Sequence, residues 1–271
     1  MLKDLLKTLE DIVYVERFSS TDGITQGIDP RIKLCSFLAF VLTAVAVRTV
    51  TPLIILFFMI VGLTVVSRIP LRFFLLRATL FIPLFAAVIV LPLPFITPGA
   101  PLAVVGYDGY IVSITREGSY RAAQFILKVW VCVASLTLLV LTTRFSRLVQ
   151  SLETFRIPKV FVMMLAITYR FIFLFVDEAY KMVLARDARR VGKERRMQTV
   201  RSLANMLSTL FIRAYERSER VYLSMLARGY TGEVKLLGKI RCSRKDWIFG
   251  VICVLTCFTV LLTEFLRLGG V

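Results

Sequence analysis

The stretch 160–176, VFVMMLAITYRFIFLFV, decides the fold. It is apolar enough to count as a membrane span, yet Arg170 stands in its middle. If it crosses a bilayer, Arg170 lies near the centre, and the basic residues after it land opposite the basic residues before it. If it packs at the membrane surface, the chain has five spans and every Lys/Arg-rich loop falls on one side. Those loops hold Arg31 and Lys33, then Arg68, Arg72 and Arg77, then the long stretch 144–246. The external loops hold only Arg48, Arg116 and Arg121. Positive charge gathers on the cytoplasmic side of membrane proteins, which favours the surface arrangement. It puts the N-terminus in the cytoplasm and the C-terminus outside.

Working outward, 144–246 carries 22 Lys+Arg against 9 acids and so supplies +13 of the chain's net +17. The 271 residues are 57% hydrophobic, with mean hydropathy +0.75, well above the 45–50% of ordinary soluble domains. A disordered basic protein is excluded, because 21 Phe and this much Leu and Val could not stay solvated. A soluble nucleic-acid binder fails for the same reason. With no histidine, the commonest metal ligand and general base is missing. The five cysteines, Cys35, Cys132, Cys242, Cys253 and Cys257, form no CxxC pair and fall mostly in apolar runs. That excludes a disulfide framework and reads Cys253 and Cys257 as small packing residues.

The spans follow from the uncharged runs. Leu34–Val47 has 14 such residues between Lys33 and Arg48, whose side chains can snorkel to the headgroups. Thr49–Ser67 has 19. Ala78–Tyr107 has 30, broken by Pro83, Pro92, Pro94, Pro98 and Pro101, and reads as one helix over about 73–93 followed by a Pro-rich external loop. Ala122–Thr143 contains Lys128 near one edge, and Trp247–Thr263 opens on an interfacial tryptophan. The expected fold is an all-α polytopic membrane protein of about five spans with a cytoplasmic module of long amphipathic helices. Its divisions are a cytoplasmic segment 1–33, spans one to four over 34–143, the module over 144–246 and the last span over 247–271.

Within 144–246 the pattern is helical. Ile157-Pro158 opens a helix that meets no Gly or Pro until Gly192, with Phe161, Leu165, Thr168, Ile172, Phe175, Ala179 and Met182 as an apolar stripe. A second helix covers about 196–228, striped by Val200, Leu203, Leu207, Leu210, Ala214, Val221 and Met225. The first closes Leu184-Ala185-Arg186-Asp187-Ala188-Arg189-Arg190, and the second Leu226-Ala227-Arg228-Gly229-Tyr230, with Gly229 at a left-handed cap. An arginine in a last turn can merely offset the helix dipole, worth about 0.3–1 kcal/mol. Two such ends on one cytoplasmic segment also suit arginine forks aimed at acidic grooves of a partner.

These residues resemble the transmembrane T component of energy-coupling-factor (ECF) transporters, the EcfT/CbiQ family. In that family two Ala-Arg-Gly-like tripeptides end two cytoplasmic coupling helices and dock into a pair of ATPases. The matching residues are Ala185-Arg186-Asp187 and Ala227-Arg228-Gly229, the second preceded by Glu219-Arg220-Val221-Tyr222. Asp187 departs from the usual glycine and leaves the register of the first motif open among Arg186, Arg189 and Arg190. Asp29-Pro30-Arg31-Ile32-Lys33 is similar to the family's N-terminal signature. Physically it is a helix start, with Asp29 as N-cap, Pro30 at N1, and Arg31 and Lys33 at the headgroups.

The resemblance implies a non-enzymatic scaffold that partners two ABC-type ATPase subunits and a substrate-binding membrane subunit, within the lipid bilayer. It implies no metal or other cofactor on this chain and no nucleic-acid partner. The sequence has no GxxxxGK[ST] phosphate loop. Glu16-Arg17-Phe18-Ser19-Ser20 and the Tyr169-Arg170-Phe171 stretch are closer to the cobalt/nickel branch than to the shared vitamin branch. Other classes would leave other marks. A membrane enzyme needs acids facing a cavity, and a permease without an ATPase needs functional polar groups inside its spans.

Overall fold

The computed structural model describes residues 25–79, 82–98, 100–107, 110–189, 196–232 and 243–269. Contacts among these residues gather 25–145 and 243–269 into one unit and 146–232 into another. The fold is helical, as the apolar runs predict, with one small hairpin.

In the first unit, α1 (Pro30–Ala46) starts as its sequence dictates. The Asp29 carboxylate accepts a hydrogen bond from Arg31 N–H at 2.9 Å, and Pro30 fills the first turn. Next come α2 (Val50–Val66), α3 (Leu71–Thr79), α4 (Ile82–Val90) and the one-turn α5 (Leu93–Ile96). The helix expected over 73–93 is thus present as α3 and α4, and Leu91-Pro92 turns the chain before α5. The expected external loop holds an antiparallel hairpin, β1 (Pro101–Tyr107) with β2 (Tyr110–Thr115). The long α6 (Arg116–Thr142) begins six residues before the uncharged run, because Thr115 caps it by accepting from Gly118 N–H. The last helix is α10 (Arg244–Gly269).

α6 is the centre of this unit and packs against α1, α2, α3, α4 and α5. Phe37 and Phe40 of α1, Leu56 and Ile60 of α2, Phe74 of α3, and Val131, Ala134 and Leu138 of α6 are buried. Burial of apolar surface alone does not set the register of such helices, and polar pins do. Trp130 Nε1 donates to Thr79 Oγ1 at 2.9 Å, with its ring 4.3 Å from that of Phe57. Lys33 was expected at the headgroups but is 1% exposed. Its ammonium donates to Thr142 O at 3.0 Å, where the carbonyl end of the α6 dipole offers a better site than the surface. Lys128 reaches Val45 O, near the end of α1, at 3.0 Å.

α10 is held at both ends by carboxylates. Asp246, 3% exposed, accepts from Asp29 N–H at 3.2 Å and from Ser243 N–H at 2.6 Å. Glu264, 6% exposed, accepts from Arg48 N–H at 2.8 Å and Thr49 Oγ1 at 2.5 Å. The two acids stand 18 residues apart, about five turns and 27 Å of helix. They therefore share one face, with Cys253, Cys257 and Val260 buried between them. Each binds the chain just before a different helix, α1 and α2. The opposite face exposes Trp247, Phe258 and Phe265, as a helix facing lipid should.

In the second unit, α7 (Phe145–Leu152) and a 3-10 turn lead to α8 (Lys159–Ala188) and α9 (Arg196–Ala227), helices of 30 and 32 residues. Both lie where the apolar spacing predicts. On length and composition α6, α8 and α10 could each cross a membrane, and α2 is a shorter apolar helix. Arg170, in the middle of the stretch that opened the reading, is exposed.

Candidate functional site

The candidate site is the α8–α9 pair and its two C-terminal ends. Three contacts set its geometry. The Arg213 guanidinium pairs with Glu178, joining the two helices. Tyr230, just past α9, donates its hydroxyl to Met163 Sδ near the start of α8 at 3.4 Å. Between them the helices line an apolar groove of about 780 Å³, with Ile167, Phe171 and Phe175 on one wall and Leu210, Ala214 and Val221 on the other. Residues joined across the pair run in opposite directions, so the helices are antiparallel. The end of α9 therefore sits beside the start of α8, and the end of α8 lies on the order of 40 Å of helix away.

The half-buried face of α9 runs Leu203, Met206, Leu210, Ala214, Arg217, Val221 and Met225. It keeps five of the seven predicted stripe residues. Leu207 instead is 67% exposed, and Val200 is exposed too. A helix covered by one neighbour buries a narrow strip, and the remaining apolar residues face outward. Phe211, Tyr215 and Tyr222 are exposed as well, at the mouth of the groove, and Leu223 is exposed away from it. Asp177–Lys181 at 2.7 Å and Glu216–Arg220 at 3.8 Å are exposed ion pairs along each helix, of small energetic weight.

The tripeptide residues fall unequally. Ala227 and Arg228 are exposed at the end of α9. The helix closes with Tyr230 N–H on Met225 O at 3.0 Å and Gly229 N–H on Leu226 O at 2.9 Å. Gly229 has φ +80°, so this is a Schellman cap and Arg228 is its C-cap residue. At the end of α8, Ala185 and Asp187 are exposed, but the Arg186 side chain is 12% exposed and sits 4.0 Å from Asp187. Arg189 is exposed, whereas Arg190 lies outside the described residues, as do Glu16–Ser20. Asp29, Pro30 and Lys33 are all buried within the first unit, where they start α1 and pin it to α6. Arg31 is half-buried beside them. Sequence reasoning missed Glu178 and Arg213 as the bond between the two helices. Their charges were visible, but nothing local told that they meet.

Apolar helices of membrane-spanning length, with a separate antiparallel pair that has basic ends, define a polytopic membrane protein. Comparison with known proteins gives the family. Residues 23–237 match the family model of CbiQ, a cobalt transport protein. An uncharacterized protein of Methanocaldococcus jannaschii is 31% identical over 98% of this chain and 91% of its own length. The cobalt transport protein CbiQ of Rhodobacter capsulatus is 31% identical over 70% of this chain and 72% of its own. The energy-coupling factor transporter transmembrane protein EcfT of Listeria innocua is 28% identical over 86% and 89%. The chain belongs to the CbiQ/EcfT family of transporter membrane components, which is not an enzyme family.

Proposed function

We propose that this chain is the coupling subunit of an ECF-type importer, carrying the work of two ATP-binding-cassette ATPases to a substrate-binding membrane subunit. The observation that carries the reading is the antiparallel α8–α9 pair with an exposed arginine cap at each of two distant ends. One partner surface could not take both ends, whereas two copies or homologues of one ATPase could take one each. A guanidinium fork matches a carboxylate bidentately, which suits an acidic groove on each ATPase.

The charge pattern supports a cytoplasmic N-terminus and α8–α9 pair, with α8 along the membrane surface rather than through it. ATP-driven closure of the ATPase pair would then shift the two arginine ends. The helices, at about 1.5 Å rise per residue, would act as stiff levers of roughly 45 Å. Their exposed apolar residues outside the groove, Val200, Leu207, Ile212 and Leu223 among them, offer a surface for the substrate-binding subunit. Tilting that surface would reorient the bound subunit. Cobalt is the cargo favoured by the family model's description and by the name of the Rhodobacter relative, and nickel comes in with it only through the sequence resemblance to the cobalt/nickel branch. The cargo itself would be held by the partner subunit.

The test is co-purification. The tagged chain, co-expressed with the ATPases and small membrane protein of its host, should bring down two ATPase subunits and support ATP-dependent cobalt or nickel uptake. Arg228→Glu should release the ATPase on α9, halving recovery per chain and abolishing uptake, since one side of a buried charge pair is typically worth about 2–5 kcal/mol. Full recovery and uptake with Arg228→Glu would sink the proposal.

A further inference from the structure

We infer that the arginine that α8 presents to an ATPase is Arg189, within Ala188-Arg189-Arg190, and that Arg186 is an internal residue of the helix end. This rests on the coupling role proposed above and settles which residues of α8 perform it. By sequence the two tripeptides were matched as Ala185-Arg186-Asp187 and Ala227-Arg228-Gly229, an offset of 42 residues. The helix ends support an offset of 39.

The first observation is where each helix stops. The last helical residue of α8 is Ala188 and that of α9 is Ala227. Arg189 and Arg228 are therefore the C-cap residues of their helices. Their backbones close alike: Arg189 N–H donates to Arg186 O, and Arg228 N–H to Met225 O, each at 3.1 Å. Arg186 lies inside the last turn of α8, at the position Met225 takes in α9.

The second observation is exposure. Arg189 and Arg228 are both exposed, as a docking residue has to be. The Arg186 side chain is 12% exposed, and its Nε is buried. Bringing Arg186 to a partner would require unpacking the end of the helix, whereas Arg189 and Arg228 need no rearrangement.

The third observation is independent of the arginines. Shifted by 39 residues, the Asp177–Lys181 ion pair falls on the Glu216–Arg220 ion pair, both spanning one turn. The same shift places Leu184 on Leu223, both exposed. Shifted by 42, Lys181 falls on Leu223 and the ion pairs no longer coincide. The two helix ends are thus repeats of one design: an acid, a cation one turn later, a leucine three residues on, then Ala-Arg at the cap. Under this register Arg190 takes the place of Gly229. The departure from Ala-Arg-Gly then lies in the third residue, and Asp187 belongs to the helix body.

The experiment uses the full chain co-expressed with the ATPases and substrate-binding subunit of its host, purified on a tag carried by this chain. ATPase recovered per chain is quantified for wild type, Arg189→Glu, Arg186→Ala, Arg186→Gln and Arg228→Glu. Each variant is checked by gel filtration and thermal melting. Arg189→Glu and Arg228→Glu should each lose one ATPase and so halve recovery per chain. Arg186→Ala and Arg186→Gln should keep wild-type recovery, and Arg189→Lys should fall between, because an ammonium cannot form the bidentate pair. Wild-type recovery with Arg189→Glu overturns the assignment. So does a halved recovery in a well-folded Arg186 variant. If Arg228→Glu also keeps its ATPases, the coupling role fails rather than the choice of arginine.

Discussion

Replacing Glu264 by alanine removes the carboxylate that ties the far end of α10 to the start of α2. Two donors lose their acceptor, Arg48 N–H at 2.8 Å and the Thr49 hydroxyl at 2.5 Å. Hydrogen bonds to charged groups contribute about 1.5–3 kcal/mol each. A carboxylate at a helix N-terminus adds roughly 0.3–1 kcal/mol through the dipole. Glu264 is 6% exposed, so water replaces little of this while the helices stay packed. The expected cost is about 3–7 kcal/mol. Glu264→Gln keeps one oxygen acceptor and should cost roughly half as much. The protein carries its own reporter, because Cys253 and Cys257 are buried on the same face of α10 while Cys35 is exposed. A thiol-reactive dye should label Cys35 at once in every variant and give the baseline. Labelling of Cys253 and Cys257 then measures release of α10. Three kcal/mol corresponds to about a hundredfold faster labelling, at 1.4 kcal/mol per tenfold. Wild-type labelling rates in Glu264→Ala would refute the view that this carboxylate holds the helix.

Two further perturbations probe the same unit. Lys33→Met keeps the aliphatic stem but removes the charge from Thr142 O. It should lower stability by about 1.5–3 kcal/mol, and Lys33→Ala by more, through lost packing, as read from thermal melting in detergent. Gly118→Ala would set a methyl group 2.7 Å from Pro94 Cα and 2.8 Å from Thr115 Oγ1. Backbone there cannot yield cheaply, so a loss of about 1–3 kcal/mol is expected, and an unchanged melting temperature would show that the turn at α5 adapts.

How much of this was legible depends on how far apart the interacting residues lie. The start of α1 was local: Asp29 and Pro30 are a cap and a first-turn residue wherever they occur, and the structure shows them so. The start of α8 and the end of α9 were also local, set by Pro158 and Gly229. The hairpin carries a local signal that was passed over, since Asp108-Gly109 stands between apolar runs in the sequence. The carboxylate clamps were not legible. Asp246 meets Asp29 across 217 residues and Glu264 meets Arg48 across 216, and no spacing along the chain names such partners. What could have been noticed is that the two acids bracket an apolar run at a whole number of turns. Lys33 looked like a snorkelling residue because sequence shows the headgroups nearby but not the carbonyl end of α6. The register of the first tripeptide was open in the sequence for a similar reason. Leu-Ala-Arg occurs at both helix ends, and only the point where hydrogen bonding stops tells which arginine is the cap.

The central claim is that α8 and α9 each present one arginine to one ATPase. Native mass spectrometry of the detergent-purified complex counts the subunits directly. The account predicts two ATPase subunits per wild-type chain and none on a folded Arg189→Glu/Arg228→Glu chain. Two ATPases still bound to that double variant would contradict it.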